Sequence, residues 1–440
     1  MTEGSTRYVE PDLRGSVVQE SGTTLSTNGA DDKTAGIGDL PAELFHNILD
    51  LLHCTDHGTL TSCTLVCHGW LDISRRHLFS ELHVLRSCDE TFQSLVDWIE
   101  QHAIHAGYIR TLSLESRLVS VPPQVSLMAS LALDTLSRLL RILPNLQGLR
   151  LHQLKIKSPT PSPTTSPTSD SPSGRYSIGH MEYEKCLCEL SRTFELLSWF
   201  HIDHLDFDPL FLDAKDATMQ PGDYTLDVRS LCVSPLTEDP LVAFQALQQV
   251  VRPNMLRSFR YPSPGLCPTP LPVVDFLRDV GQRIVDLNLC PSAEDDYLVL
   301  PQLPSLQVFR YHTCVPFLCS PAKLSDHEAT FAPFKDSWIL HLPADLEQLI
   351  IYLPYGEPVL PPGPNSTVLW ELESALQARF RVLKKLSFIF PELPCDLASV
   401  AAAAAACFPT FHERGVLEVT VRNWELECRE WNIYGYLHDR

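Results

Sequence analysis

Apolar and polar residues alternate with a period of two in ten short segments between residues 108 and 423. YIRTLSLES at residues 108–116 and RIVDLNLCPS at residues 283–292 are two of these segments, and each has an apolar residue shortly before the alternation. Such alternation is typical of a strand with one buried face. Segments of helical periodicity, such as SLALDTLSRLLRIL at residues 130–143, lie between them. The order strand, helix, strand predicts parallel strands joined by crossovers.

The spacing of equivalent apolar residues approaches a repeat in the middle of the chain. The steps from Leu205 to Leu231, Phe259, Leu287 and Phe309 are 26, 28, 28 and 22 residues, and the steps elsewhere reach 37 to 56 residues. The shorter steps fall within or near the ~20–29-residue period of leucine-rich repeats. We therefore predict an irregular leucine-rich-repeat-like domain over residues 85–156 and 177–424, although the consensus asparagine is absent. The alternative is an ordinary α/β domain with a parallel sheet.

Basic residues occupy several outward positions of the predicted strands. The residues predicted to bind a target are Arg150, Arg260, Arg310, His312 and Lys385. Because the strands of a leucine-rich repeat line its usual binding surface, a set more basic than the whole chain predicts an acidic or phosphorylated protein target. The alternative is that these residues are solvated and have no partner, since Arg and His occur on any half-exposed strand.

Two segments have the composition of disordered chain. Residues 1–38 contain few large apolar residues, and residues 157–176 repeat proline and small polar residues, so neither can offset the entropy of ordering. Residues 425–440 are assigned to a C-terminal tail. The segment 157–176 contains five Ser-Pro or Thr-Pro pairs. The Ser or Thr of each pair is a candidate for phosphorylation, namely Ser158, Thr160, Ser162, Ser166 and Ser171. The alternative is a plain spacer.

Three cysteines and three histidines in HCTDHGTLTSCTLVCHGW, residues 53–70, raise the question of a metal site. Zinc ligands come in close pairs such as Cys-x-x-Cys, whereas Cys54 is followed by no cysteine until Cys63. Cys63 instead shares one helical stripe with Leu60 and Trp70, which favours a buried apolar face. We therefore predict no metal site and no cofactor.

Residues 39–84 resemble the F-box. The resemblance is carried by Leu40-Pro41, by the apolar spacing through Ile48, and by LVCHGWLDISRRHLF at residues 65–79, a form similar to the large F-box families of mushroom-forming (basidiomycete) fungi. In that family three short helices dock on the Skp adaptor of a cullin–RING ubiquitin ligase. The residues that the resemblance places in this contact are Leu40, Pro41, Leu44, Ile48, Leu65, Val66 and Trp70. The implied fold class is α+β or α/β, an N-terminal three-helix F-box followed by an irregular leucine-rich-repeat α/β solenoid.

Charge and hydropathy restrict the partners and the compartment. The formal net charge of −20 disfavours a nucleic-acid partner, because such binding needs an excess of Lys and Arg. No run approaches the ~18 apolar residues that would span a bilayer, and the N-terminus lacks the apolar stretch of a signal peptide. We therefore expect no membrane partner, a cytoplasmic or nuclear location, and mostly free thiols among the 14 cysteines.

The sequence lacks the common catalytic motifs. It contains no G-x-x-x-x-G-K, G-x-G-x-x-G, H-E-x-x-H or G-x-S-x-G. His180-Met181-Glu182 resembles half of a deaminase signature, but no Pro-Cys-x-x-Cys follows. We therefore predict a protein that is not an enzyme, namely the substrate-recognition adaptor of an SCF (Skp–cullin–F-box) ubiquitin ligase with an unknown protein substrate. The alternatives are an F-box binding scaffold outside any ligase and an intracellular hydrolase with a scattered site.

Overall fold

The computed structural model describes residues 44–45, 48–49, 57–66, 68–88, 90–117, 128–157, 174–211, 224–234, 240–262, 271–290, 300–312, 338–352, 367–390 and 397–421. Within these residues, fourteen strands form one sheet in which every strand pair is parallel. The strands are β1 (Glu81–Arg86), β2 (Thr111–Ser116), β3 (Ser130–Ala132), β4 (Gly148–His152), β5 (Lys155–Lys157), β6 (Tyr176–Cys188), β7 (Phe200–Phe211), β8 (Asp227–Val233), β9 (Ser258–Pro262), β10 (Asp286–Cys290), β11 (Val308–His312), β12 (Gln348–Tyr352), β13 (Lys385–Phe390) and β14 (Leu417–Val421). They follow chain order across the sheet, except that β3 pairs with β5 and β5 with β6 beside the main path.

Eleven α-helices accompany the sheet in the described ranges. They are α1 (His57–Cys63), α2 (His68–Leu78), α3 (Gln93–Gln101), α4 (Ala103–Ala106), α5 (Leu133–Ile142), α6 (Leu190–Ser198), α7 (Pro240–Val250), α8 (Leu271–Val280), α9 (Thr367–Arg379), α10 (Leu397–Cys407) and α11 (Pro409–Glu413). Most lie between consecutive strands, because parallel neighbours must be joined by a crossover. None of the helices described is long and apolar enough to span a bilayer.

A ladder of apolar residues crosses the sheet at one register position. In chain order its members are Leu112, Leu149, Met181, Leu205, Leu231, Phe259, Leu287, Phe309, Leu349, Leu386 and Leu417. Every member from Leu112 to Leu386 is fully buried. The parallel strands that the alternation predicted are thus confirmed, and the residues that measured the repeat steps are neighbours in the core.

Aromatic side chains fill the space between β9 and the helices that cover it. The ring centroid of Phe259 lies 6.3 Å from that of Phe244 in α7 and 5.2 Å from that of Phe276 in α8. Gly281 follows α8 where a Cβ atom would lie 2.7 Å from Cδ2 of Leu303. A larger residue at this position would therefore have to displace the buried side chain of Leu303.

The predicted fold class of a three-helix F-box followed by a leucine-rich-repeat solenoid is wrong. The described residues form an α/β fold dominated by one 14-stranded parallel sheet. β1 starts inside the segment that resembles the F-box, and it pairs with β2 from Glu81 to Arg86. Strand pairing therefore continues from this segment into the rest of the chain. Periodicity within single segments could not show this, because tertiary contacts decide which strands pair.

A bulge hides the end of β6 in the sequence pattern. YEKCLCELSRTFELLSWF, residues 183–200, has helical periodicity, yet the strand continues to Cys188 and α6 begins only at Leu190. Lys185 has a φ of 50°, and the register shifts between Glu184 and Cys186. One extra residue interrupts the alternation of period two, which hides the strand from a pattern search.

Candidate functional site

The N-terminal described residues build a small core of their own. Phe45, Leu49, Leu60 and Cys63 are buried together, and Trp70, Ile73 and Leu78 pack against them. The rings of Phe45 and Trp70 lie 4.2 Å apart between centroids. Leu60, Cys63 and Trp70 therefore face inward as predicted, although they do not share one helix, because Leu60 and Cys63 lie in α1 and Trp70 lies in α2.

Four of the residues predicted to contact Skp are exposed. The exposed fractions are 51% for Leu44, 43% for Ile48, 84% for Leu65 and 55% for Val66. We call these four residues the N-terminal apolar surface. Trp70 is half-buried and belongs to the small core. Leu40 and Pro41 lie outside the described residues, as do the five phosphorylation candidates and the predicted segments 1–38 and 425–440.

Backbone hydrogen bonds hold the turn that follows α1. The backbone N–H of Leu65 donates to the carbonyl of Ser62 at 3.0 Å, and the N–H of Val66 donates to that of Cys63 at 3.3 Å. The hydroxyl of Thr64 donates to the carbonyl of Thr61 at 2.6 Å. Because Cys63 is anchored in the small core, this turn presents Leu65 and Val66 in a fixed place.

The sheet face opposite the buried ladder carries most of its polar residues, and we call it the polar face. One register row across it reads His83, Ser113, Arg150, Glu182, Asp206, Cys232, Arg260, Asn288, Arg310, Ile350, Ser387 and Glu418. Three predicted target-binding residues, Arg150, Arg260 and Arg310, lie in this row. Lys385 lies two residues before Ser387 on the same face. The side chain of His312 is outside the described part of the chain.

Carboxylates on nearby strands pair with most of these basic residues. Three of the pairs are Arg150 with Glu81 at 3.0 Å and Glu182 at 3.1 Å, Arg310 with Asp286 at 3.0 Å, and Lys385 with Glu418 at 2.7 Å. For Arg260, the buried Nε atom has no hydrogen-bond partner among the described residues. Arg150, Arg310 and Lys385 are therefore paired within the sheet rather than free, and the acidic or phosphorylated target stays a prediction.

An open depression of about 570 Å³ lies over β1, β2, β4 and β6. One of its lining residues is His152, whose Nδ1 is 2.9 Å from a carboxylate oxygen of Glu115 and whose Nε2 is 3.6 Å from one of Glu184. The other oxygen of Glu115 lies 2.8 Å from Nε2 of His83. Hydrogen bonds, the largest of them with His152, lower the pKa of Glu115. This arrangement can hold a proton on His152 between two carboxylates.

Crowded carboxylates continue from this depression onto β7. Glu184 and Asp208 are register partners, and Asp208 is buried. Burial, followed by the charge of Glu184, raises the pKa of Asp208 to about 7. Sequence reasoning missed this carboxyl group, because a buried aspartate has no local sequence signal.

Three potential metal ligands meet where β6 lies beside β7. His180 and His204 are register partners, and their rings stack with centroids 5.1 Å apart and an interplanar angle of 12°. The carboxylate of Asp206 lies 3.2 Å from Nε2 of His204 and 3.6 Å from Nε2 of His180. One ligand atom from each residue can be chosen so that all lie within 4.8 Å of one another. We call this group the histidine–aspartate cluster.

The sequence analysis considered His180-Met181-Glu182 by itself and missed this cluster. A second His-x-acid pattern, His204-Leu205-Asp206, occurs in the next long strand. Aligning the two strands on buried Met181 and Leu205 places the two histidines side by side. Comparing the two His-x-acid patterns in this alignment could therefore have revealed the cluster from the sequence.

No protein-family model matches this chain, and no curated protein matches it either.

Proposed function

We propose that this chain is the substrate-recognition adaptor of an SCF (Skp–cullin–F-box) ubiquitin ligase. The N-terminal apolar surface binds the Skp adaptor, and the sheet region binds the protein to be ubiquitinated. The observation that carries the proposal is the exposure of Leu44, Ile48, Leu65 and Val66, the residues that the F-box resemblance assigns to Skp. An adaptor of this kind raises the effective concentration of its target near the ubiquitin-charged enzyme and performs no bond chemistry.

Burial of the N-terminal apolar surface contributes to the driving force for docking. A Leu, Ile or Val side chain gains ~1.5–3 kcal/mol on complete burial. Scaled by their exposed fractions, the four side chains together offer roughly 3–7 kcal/mol before the costs of association. The hydrogen-bonded turn after α1 reduces those costs for Leu65 and Val66, because their backbone is already ordered.

The test is binding of the full chain to a basidiomycete Skp adaptor. The variant Leu65→Asp/Val66→Asp places two charges in the proposed contact, so we expect Kd to rise at least tenfold, which is ~1.4 kcal/mol. The matched control is Leu340→Asp, because Leu340 is 66% exposed at a remote position. Kd for the control and the thermal transition of both variants should stay unchanged.

The alternatives give different results. Failure of the folded wild-type chain to bind Skp contradicts the proposal. Skp binding without cullin-dependent ubiquitination of any captured protein supports a scaffold outside the ligase. Equal loss of Skp binding in the Leu340→Asp control would mean that the contact is not at the N-terminal apolar surface.

A further inference from the structure

We infer that the polar face contains a binding site for one divalent transition-metal cation of the zinc class, with His180, His204 and Asp206 as its protein ligands. This inference does not depend on the proposed ligase function. Imidazole nitrogen and carboxylate oxygen are ligands that Zn²⁺ accepts, with bonds of ~2.0–2.2 Å. All three residues lie on two adjacent strands of a rigid sheet, which is the kind of support that a metal site needs.

Two of the distances between possible ligand atoms are close to those around a tetrahedral ion. In a tetrahedron with bonds of ~2.0–2.2 Å, neighbouring ligand atoms are ~3.3–3.6 Å apart. Oδ1 of Asp206 is 3.2 Å from Nε2 of His204, and Oδ2 of Asp206 is 3.6 Å from Nε2 of His180. Because the two imidazole rings are stacked with an interplanar angle of 12°, their in-plane lone pairs run side by side. Binding one cation therefore requires at least one of the rings to rotate towards Asp206.

Ser230 on β8 orients one of the imidazoles. Its Oγ lies 2.9 Å from Nδ1 of His204, so Nε2 is the nitrogen that points towards Asp206. A hydrogen bond on the second ring nitrogen is typical of metal-bound histidine, because it sets both the tautomer and the ring orientation. This contact extends the site to a third strand.

The surroundings allow a cation to enter and to complete its coordination. The side chains of His180, His204 and Asp206 are 37%, 25% and 22% exposed, so the site opens to solvent. Glu182 lies beside it, with a carboxylate oxygen 2.9 Å from Nε2 of His180. Glu182 or a water molecule can fill the fourth position, which open zinc sites reserve for water or substrate.

The experiment uses the chelator-treated full chain, titrated with cobalt(II) and followed by absorption, and then with zinc(II) followed by calorimetry. Cobalt distinguishes this site from cysteine coordination, because thiolate ligands produce a strong charge-transfer band that imidazole and carboxylate do not. This distinction matters in a chain with 14 cysteines. We expect one equivalent of metal to bind with visible ligand-field bands and no thiolate band.

Three variants and one control test the ligand set. His204→Gln and Asp206→Asn should each weaken binding at least tenfold, and Ser230→Ala should weaken it ~10–100-fold through the lost orientation. The control is His83→Gln, which removes a histidine from the same face that also pairs with a carboxylate, Glu115 at 2.8 Å. Its binding should equal that of wild type. Circular dichroism checks that each variant is folded, and Asp206→Asn keeps the test decisive if another variant fails to fold.

Several results would overturn the inference. They are the absence of binding at one equivalent, a thiolate charge-transfer band, binding retained in either His204→Gln or Asp206→Asn, and equal loss in His83→Gln. If no metal binds at one equivalent, His180, His204 and Asp206 form only a hydrogen-bonded network of the polar face.

Discussion

Nδ1 of His152 lies 2.9 Å from Oε1 of Glu115, across the pair of strands β2 and β4. Nε2 of His152 faces Glu184 on β6 at 3.6 Å. One imidazole therefore stands between two carboxylates and links three strands of the polar face. Burial lowers the pKa of His152, but the hydrogen bonds and charges of Glu115 and Glu184 outweigh burial and raise it from 6.5 to about 9.

This pair makes stability depend on pH. Because the folded pKa of His152 exceeds the unfolded value of 6.5, its contribution is fully present below about pH 6.5 and is lost as the pH rises through about 9. The pKa of Glu115 is lowered, so its contribution is lost only as the pH falls through that lower value. We expect His152→Gln to reduce the free energy of unfolding on the order of 1–3 kcal/mol at pH 6, and by less at pH 10. Denaturant unfolding of both proteins at the two pH values measures this, and a larger effect at pH 10 would contradict it.

Near the N-terminus, Leu49 is buried and Leu65 is exposed, so replacement by alanine should reduce stability strongly at the first position and hardly at all at the second. Leu49 is fully buried in the small core, so Leu49→Ala should destabilise this region by ~2–5 kcal/mol. Leu65→Ala should change stability by no more than ~0.5 kcal/mol, because this side chain is 84% exposed. Hydrogen exchange of the α1 and α2 amides reports on both. Equal protection losses in the two variants would mean that Leu65 is part of the core.

Gly281 and Leu303 should be energetically coupled. A methyl group on residue 281 would meet Cδ2 of Leu303 at 2.7 Å, and Leu303 is only 3% exposed. We expect Gly281→Ala to destabilise the chain by ~1–3 kcal/mol through overpacking. The double variant Gly281→Ala/Leu303→Ala should lose less free energy of unfolding than the two single variants lose together, by at least ~0.5 kcal/mol. Strict additivity in this double-mutant cycle would show that the effect of Gly281→Ala does not come from contact with Leu303.

The contribution of Arg310 to stability should depend on the shape of its guanidinium group as well as on its charge. Its Nε and Nη2 atoms donate to the two carboxylate oxygens of Asp286 at 3.0 and 3.1 Å, and both side chains are about three-quarters buried. Arg310→Lys keeps the charge but loses the paired hydrogen bonds, so we expect a loss of ~1–2 kcal/mol. The control is Arg278→Lys, where Arg278 pairs with Asp275 in an exposed setting and the change should stay within ~0.5 kcal/mol. Equal effects on the two midpoints of urea unfolding would contradict the prediction.

The sequence by itself determined the elements and the inward faces of the strands. The alternation of period two located the strands at Leu205, Leu231 and Leu287, because burial on one side of a strand selects apolar residues at every second position. Helical periodicity over residues 130–143 located α5. These are properties of short stretches of chain, and a stretch keeps them wherever it lies in the fold.

Tertiary structure decided which strands are neighbours and what their outward residues do. Arg310 was visible as a basic strand residue, but its neutralisation by Asp286 depends on the register of β10 with β11. The meeting of His180 with His204 depends in the same way on the pairing of β6 with β7, and the bulge at Lys185 obscured the end of β6 from pattern analysis. Strand pairing joins residues far apart in sequence, and the energy of a charged side chain depends on those non-local neighbours rather than on its own segment.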